Sequence, residues 1–578
     1  MLLVGATIGA FFAAQQLKHQ APLLRYRAST EAFSPNGDGV KDAAKIRFKL
    51  PEAAEVTVTI LDEDGGEVAR VATNKALGKG EQSLSWDGRT DENLVAPEDG
   101  YRVRVALRDQ GRANTLPHEV KLDLTPPRPE IEAVDGPGRG PTVIDGGRRT
   151  TATAEVGRAT RRPRFSVWRT DVAKPRAVVE RLPSAGRRSA QWDGRIDGRL
   201  APPGTYMIAA SAEDRAGNRG SVPRHLPPPA TGDARGGVGV VVRPVVIGPS
   251  LTPAGSGTRT GVKIDAGGRR YSWALRRLDG ERVGHGRSTA ERLSLPIPEG
   301  PATAYVLTAR THGEVARGVI PVAAPRPRPV LVVLPALTWQ GRNDVDDDGD
   351  GLPDSLARER RARVQRPFAG GRLPAGFRTN EANLLAYLDR QELRYELTTD
   401  LALARAGGAP LSEHEGVILA GDERWLPEQL GDRLVEFVRG GGRLFSVGFD
   451  SLHRTMALGA RSMSAPSERS NEDVFGATVS APARGTTGLL AQTDEINLFT
   501  GTAGSLGSWT AWQVTTDVGP GRLVATAASD DGDDVFVAYR LGRGLVIRPG
   551  VRGWSAALEN DISPPATTTR RIWTLLHR

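Results

Sequence analysis

The 578-residue sequence contains no cysteine. Disulfide staples, thiolate zinc sites and a cysteine nucleophile are thereby excluded, although the absence does not assign a compartment. Aromatic residues make up only 5% of the chain, and its eight histidines are scattered. Neither a His-Glu-x-x-His pair nor a Gly-x-Ser-x-Gly elbow occurs, which removes two common hydrolase signatures. A concentrated basic stripe is also missing: the formal charge of +9 is spread along the chain. The nearest clusters are Arg161, Arg162, Arg164 and Arg169, and Arg358, Arg360, Arg361 and Arg363. Both read as solvated strand and helix faces, so no nucleic acid is expected as a partner. Dispersed positive charge does favour a polyanionic cell envelope through the overall field.

Long apolar runs are absent beyond the N-terminus. From Met1 to Ala14 the chain is uncharged and apolar, and the run ends at Gln15, Gln16 and Lys18. Fourteen residues fall short of the roughly 20 that span a bilayer as a helix, and no basic segment precedes them. Residues 1–17 read as a signal anchor or a signal peptide, with a buried core helix as the remaining reading. The expected location is the extracytoplasmic face of the cell membrane, or secretion. The expected partners are the membrane, through this segment, and cell-envelope polymer or surface proteins.

What is abundant is turn punctuation, with 68 Gly and 41 Pro. At about 150 residues per domain, the length predicts about four domains. Proline-rich breaks at Thr125–Pro129, Pro223 to Gly237 and Pro325–Pro329 divide the chain accordingly. The predicted units are 28–125, 126–226, 238–323 and 329–578.

The first two units are internal repeats. Ser85-Trp86-Asp87-Gly88-Arg89, Ala96-Pro97 and Gly100-Tyr101 recur as Gln191-Trp192-Asp193-Gly194-Arg195, Ala201-Pro202, Gly204 and Tyr206. The offset is 106 residues at the tryptophan and 105 at the tyrosine, which points to a duplicated domain. Alternation through Val56, Val58 and Ile60, with a hairpin signal at Asp64-Gly65-Gly66, predicts antiparallel strands in an immunoglobulin-like sandwich. These motifs, the Asp214-x-x-Gly217-Asn218 turn and the opening Phe33-Ser34-Pro35-Asn36-Gly37-Asp38-Gly39-x-x-Asp42 resemble the Ig-like domain of the flagellar hook-capping protein and many bacterial surface proteins. The resemblance implies a stalk or adhesion module, with the repeated Trp and Tyr packed in the core. In the third unit, Val238, Val240 and Val242, then Tyr271, Trp273 and Leu275, alternate again and predict a further β-sandwich.

The fourth unit changes period. Apolar strands at 330–334, 416–420 and 444–447 alternate with helical patterns at 380–391 and 427–439, and 568–577 reads as a closing helix. The fold class predicted is therefore multidomain: tandem Ig-like β-sandwiches followed by a doubly wound α/β domain. Ligands of such a domain bind beyond the carboxyl ends of its strands.

Two constellations there carry chemistry. Asp346, Asp348 and Asp350 fit positions 1, 3 and 5 of a calcium loop, with Gly351 at the sharp turn, the Leu352 carbonyl at 7 and Asp354 at 9. Ala357 replaces the usual Glu at position 12, and Asp344 or Glu359 is positioned to substitute for it. A structural calcium is the expected cofactor, with a solvated acidic loop as the other reading. Asn36, Asp38 and Asp42 offer similar ligands or form a tight turn.

The second constellation is Thr338-Trp339-Gln340-Gly341-Arg342-Asn343, Thr398-Thr399-Asp400-Leu401 and Gly421-Asp422-Glu423-Arg424-Trp425. These resemble the C-terminal domain of the N,N-dimethylformamidase large chain, a relative in fold of class I glutamine amidotransferases. Family members read T-W-Q-A-Y-N and G-H-D-E-Y-W there, and the enzyme holds iron with tyrosine and glutamate. Here Arg342 and Arg424 stand at the two tyrosines and Gly421 at the histidine. Arginine has no lone pair to offer a metal, so the resemblance implies a degenerate site. Glu423 and Asp422 remain as candidate general acid-base groups, and Asp450, Ser451 and His453 as a loop cluster that a catalytic triad would need brought together. A binding or scaffold protein of the cell surface is the leading reading; an extracytoplasmic hydrolase of amides or glycans is the alternative.

Overall fold

Strand Ala54–Leu61 places Val56, Val58 and Ile60 on one face, and all three are fully buried. Successive side chains on a strand point to opposite faces, so this spacing dictates one apolar side. The strand turns at Asp62–Gly66 into Glu67–Leu77, with the Gly66 N–H donating to Asp62 Oδ1 at 2.6 Å. In the computed structural model, residues 24–27, 29–108, 111–133, 140–145, 151–156, 162–229, 236–405 and 410–577 are described. The N-terminal segment 1–17 lies outside them.

The first sandwich faces a sheet of Arg25–Tyr26, Ala44–Leu50 and Gly80–Trp86 against a larger one. The larger sheet runs Ala32–Phe33, Val120–Leu122, Gly100–Leu107, Ala54–Leu61 and Glu67–Leu77, its first pair parallel and the rest antiparallel. The second sandwich repeats this path through Thr142–Ile144, Val238–Val242, Gly204–Glu213, Arg164–Arg169 and Arg176–Val179, again with a parallel first pair. So does the third, through Ala254–Gly255, Glu314–Ala323, Thr303–Thr311, Tyr271–Arg276 and Arg282–Ser288. The third unit is therefore another copy of the same topology, without the Trp-Asp-Gly-Arg motif.

One boundary differs from the expected one. Strand Val238–Val242, read from sequence as the start of the third unit, pairs with Gly204–Glu213 and closes the second. Val238, Val240 and Val242 are buried in the second sandwich's core, so the segment from Pro223 to Gly237 connects two strands of one sheet and does not link domains.

The repeated aromatics are core residues that satisfy their own polar ends. Trp86 and Tyr101 meet with ring centroids 4.9 Å apart, and Trp192 and Tyr206 at 5.1 Å. Each indole N–H donates to a carbonyl three residues on, Arg89 or Arg195, and each phenol to the proline four residues back, Pro97 or Pro202, at 2.7 Å. Asn36, Asp38 and Asp42 form the tight turn: Asp42 accepts the Gly37 and Gly39 N–H groups, and Asp38 accepts that of Val40. This turn touches the second sandwich, where Lys41 Nζ donates to the Arg215 carbonyl at 2.5 Å.

The C-terminal unit is built on a nine-stranded sheet. Glu396–Thr399, Val330–Leu334, Gly416–Leu419, Arg443–Ser446 and Gly544–Arg548 are parallel in that spatial order. Beyond them Asp534–Leu541, Arg522–Ala528, Ala483–Asp494 and Ser505–Trp512 continue antiparallel. The unit expected as a doubly wound α/β domain is thus built on a mixed sheet, and the chain as a whole is mostly β. Short connections join Ala483–Asp494 to Ser505–Trp512, Arg522–Ala528 to Asp534–Leu541 and Asp534–Leu541 to Gly544–Arg548 as sheet neighbours, which leaves no length for a crossover helix between them. Val330, Val332 and Leu334 enter one core with helices Glu381–Arg390 and Pro564–Leu576, while Leu331 and Val333 enter another with Glu428–Arg439. Leu251, Ala302, Ala304 and Val319 of the third sandwich share the first of these cores.

Candidate functional site

At the carboxyl end of Gly416–Leu419, the chain turns through Ala420 and Gly421 into Asp422-Glu423-Arg424-Trp425. The Glu423 backbone is fixed on both sides. Its N–H donates to Ser451 Oγ at 3.0 Å and its carbonyl accepts from the Leu452 N–H at 2.8 Å. The Glu423 side chain is fully buried, and no N–H or O–H donor among the described residues reaches either carboxyl oxygen. The group it meets is the Asp400 carboxyl, at the end of strand Glu396–Thr399. Asp400 accepts from Leu337 N–H at 3.0 and 3.1 Å and from Leu401 N–H at 2.7 Å. Two carboxylates have no donor between them, so the pair bonds only by holding a proton.

Glu381, at the start of helix Glu381–Arg390, completes the acidic group. One of its oxygens accepts from Trp339 Nε1 at 3.3 Å, and the other has no partner. Burial pushes Glu381 up to about 8 and holds Glu423 well above the ordinary carboxyl range, where the Asp400 charge raises it further. Burial raises Asp400 in the same direction. Sequence reasoning singled out Glu423 but missed Asp400 and Glu381 as site residues. Asp400 belongs to the Thr398-Thr399-Asp400-Leu401 motif, whereas Glu381 reads only as an acid in a first helical turn.

Gly421 stands where the formamidase pattern has histidine, and the fold gives the reason. A Cβ there would meet Glu381 Oε1 at 2.0 Å. The two arginines at tyrosine positions are both engaged. Arg342 Nη1 donates to Asp422 at 3.0 Å, and Asp422 also accepts the Phe449 N–H. Arg424 donates to Asp450 at 3.1 Å and lies over the Trp425 ring. Asp422 is therefore tied up in loop structure, and of the two candidate acid-base groups only Glu423 sits in the buried carboxyl group.

The Asp450, Ser451 and His453 cluster does not assemble as a triad. Asp450 is bound by Arg424, Arg454 and Arg469, Ser451 is bound to the Glu423 N–H, and among the described residues neither His453 ring nitrogen has a hydrogen-bond partner. Burial, then the charges of Arg548 and Arg469, push His453 down to about 3.

The acidic loop after the first parallel strand brings Asp346, Asp348 and Asp354 together, with one carboxylate oxygen of each within 4.8 Å of the others. Asp346 is buried and accepts the Gly349 and Gly351 N–H groups. Asp350 caps the Leu352 N–H, and the Asp344 carbonyl accepts from Thr205 Oγ1 at 3.3 Å. Neither Asp344 nor Asp350 joins the trio, and Leu352 packs on Met207. The loop is seated on the second sandwich: Gly239 N–H donates to the Gly349 carbonyl at 2.7 Å and Thr170 Oγ1 to that of Gly351 at 2.6 Å. A Cβ at Gly239 would meet Asp346 Oδ2 at 2.1 Å, so that strand needs glycine there. Behind the loop, the buried Arg366 guanidinium donates to the carbonyls of Gln340, Val345 and Asp354 and pairs with Asp347.

Fold and site together define a multidomain protein of sandwich modules in series, ending in a mixed-sheet domain with a closed carboxyl cluster. Residues 33–111 match the FlgD Ig-like domain family, and residues 290–486 match the N,N-dimethylformamidase beta subunit-like, C-terminal family. The second match begins within the third sandwich. No curated protein matches the chain. Among solved structures, similarity is found to a β-galactosidase from Rahnella sp. R3 at 12% identity and TM-score 0.29, covering 44% of this chain and 32% of that one. An exo-β-1,4-mannosidase from Opitutaceae bacterium strain TAV5 gives 12% identity and TM-score 0.27, covering 43% and 36%. FlgD from P. aeruginosa gives 20% and 0.14, covering 18% and 78%. The chain spans about a third of the galactosidase's length, and at these TM-scores none of the three likenesses carries an argument.

Proposed function

We propose that this is an extracytoplasmic binding or scaffold protein. Its N-terminal segment attaches it to the cell membrane, its Ig-like modules form a stalk, and its terminal domain is a non-catalytic relative of the formamidase domain. On this reading the parallel half of the sheet derives from a doubly wound, class I glutamine amidotransferase-like ancestor. The observation that carries the proposal is the ion pairing of both replacement arginines, Arg342 with Asp422 and Arg424 with Asp450, where oxygen ligands to a metal would otherwise stand. A guanidinium neither ligates a metal nor loses its proton. Metal analysis of the purified protein tests this: no stoichiometric iron is expected, and one iron per chain would overturn it.

Calcium belongs to the same reading as a structural ion held by Asp346, Asp348 and Asp354, stiffening the contact of the acidic loop with the second sandwich.

A second reading rests on Glu423 facing Asp400, since a buried carboxyl pair sharing a proton is a general-acid arrangement. It makes the domain a hydrolase of amides or glycans. Amide or glycoside turnover lost in Glu423→Gln would support this reading against the first.

A further inference from the structure

A cavity of about 590 Å³ lies where the second sandwich, the third sandwich and the C-terminal domain meet. Its lining includes four cations, Arg243, Lys263, Arg292 and Arg405, and one acid, Asp265. Arg243 follows strand Val238–Val242, Lys263 and Arg292 come from paired strands of the third sandwich, and Arg405 ends helix Asp400–Ala404. Three separate units thus converge on one space with the same sign of charge.

The Arg243 guanidinium is the sharpest feature. Its Nε is buried without a hydrogen-bond partner, and among the described residues no carboxylate forms an ion pair with Arg243, Lys263 or Arg292. Asp265 and Asp347 are the acids near enough to act on Arg243 through space. Asp347 is already paired with Arg366, and Asp265 accepts the Gly267 N–H. Arg405 has one nitrogen committed to the Ala460 carbonyl. A half-buried guanidinium with no carboxylate ion-paired to it among the described residues, set among further cations, suits an anion in the cavity as its direct partner.

We infer that this junction cavity binds a compact multivalent oxyanion, a phosphate-bearing small molecule, whose charge is met by Arg243, Lys263 and Arg292. Arginine and lysine together suit that ligand: guanidinium forks match phosphate oxygens, and an ammonium adds a point charge. Because the lining comes from three units, an occupied cavity would also brace the stalk against the terminal domain.

Isothermal titration of the full chain with inorganic pyrophosphate tests the inference, with linear polyphosphate as the polymer arm. One pyrophosphate per chain is expected, with affinity falling as salt rises. Lys263→Gln combined with Arg292→Gln, both on exposed positions, should weaken it roughly tenfold or more. Arg243→Gln should weaken it further. Arg112→Gln with Arg164→Gln, exposed on the first two sandwiches, should leave it unchanged. Absence of pyrophosphate binding, binding of polyphosphate alone, or equal losses in the Lys263/Arg292 and control variants would each overturn the assignment.

Discussion

Glu423 and Asp400 place two buried carboxyl groups against each other at the carboxyl ends of adjacent-but-one strands, and among the described residues neither Glu423 oxygen has a donor except a proton on the pair itself. Glu381 adds a third buried acid alongside.

The cluster fixes the sign of the pH dependence. The folded chain keeps the Glu381 proton up to about pH 8, whereas the unfolded chain releases it near pH 4.5. Between those limits the folded state binds more protons, so its stability is greatest at the acid end and declines as pH rises. Glu423 and Asp400 act in the same direction. Glu381→Gln is expected to flatten this decline and to raise the melting temperature at pH 8. Thermal melts from pH 5 to 9 check it, and parallel curves for the two proteins would count against a protonated cluster.

His453 acts with the opposite sign. Burial holds it neutral down to about pH 3, while in the unfolded chain it takes a proton near pH 6.5. The stability it costs therefore appears as pH falls from 6.5 toward 3. His453→Leu should lose this acid-side penalty, read as a smaller drop in urea midpoint between pH 7 and pH 5.

Among the described residues Asp450 is the one carboxylate ion-paired with Arg424, Arg454 and Arg469, and it is buried. Removing it leaves three cations facing one another in a half-dry loop. Asp450→Ala should destabilise the C-terminal unit by about 3–5 kcal/mol in urea unfolding. Asp450→Asn keeps hydrogen bonding and suits the left-handed backbone at φ 53°, and should cost less.

The acidic loop predicts a response to calcium. At 100 times the dissociation constant, a ligand bound only by the folded state adds about 2.7 kcal/mol. Calcium should raise the melting temperature and EDTA should reverse it. Asp348→Asn, at an exposed member of the trio, should abolish the response without lowering the melting temperature of the calcium-free protein.

In the sandwiches, Tyr206→Phe removes one hydrogen bond to Pro202 and should cost about 1 kcal/mol. Trp192→Ala opens a cavity between the sheets and should cost about 3–5 kcal/mol. Equal effects of the two substitutions would contradict the packing role of the indole.

Local rules made much of this protein legible in its sequence. Period-two alternation at Val56, Val58 and Ile60 and the duplicated Trp and Tyr landmarks specify a strand face and a repeated core, because a strand's side chains alternate whatever surrounds it. Helices Glu381–Arg390 and Glu428–Arg439 were readable from their apolar spacing for the same reason. The loops carrying Arg342, Glu423 and the acidic run were visible as motifs.

Partnership across the chain was decided only in three dimensions. Whether Val238–Val242 closes the second sandwich or opens the third depends on which core receives its valines, and a proline-rich connection looks the same in either case. That Glu423 meets Asp400 and Glu381, that the acidic loop seats on Gly239 and Thr170, and that Arg243 shares a cavity with Lys263 and Arg292 all join residues far apart in sequence. Sequence spacing sets the direction of a side chain on its own element. The identity of what it faces comes from the packing of whole units, and in this chain that packing sets both the charge and the dryness of every candidate site.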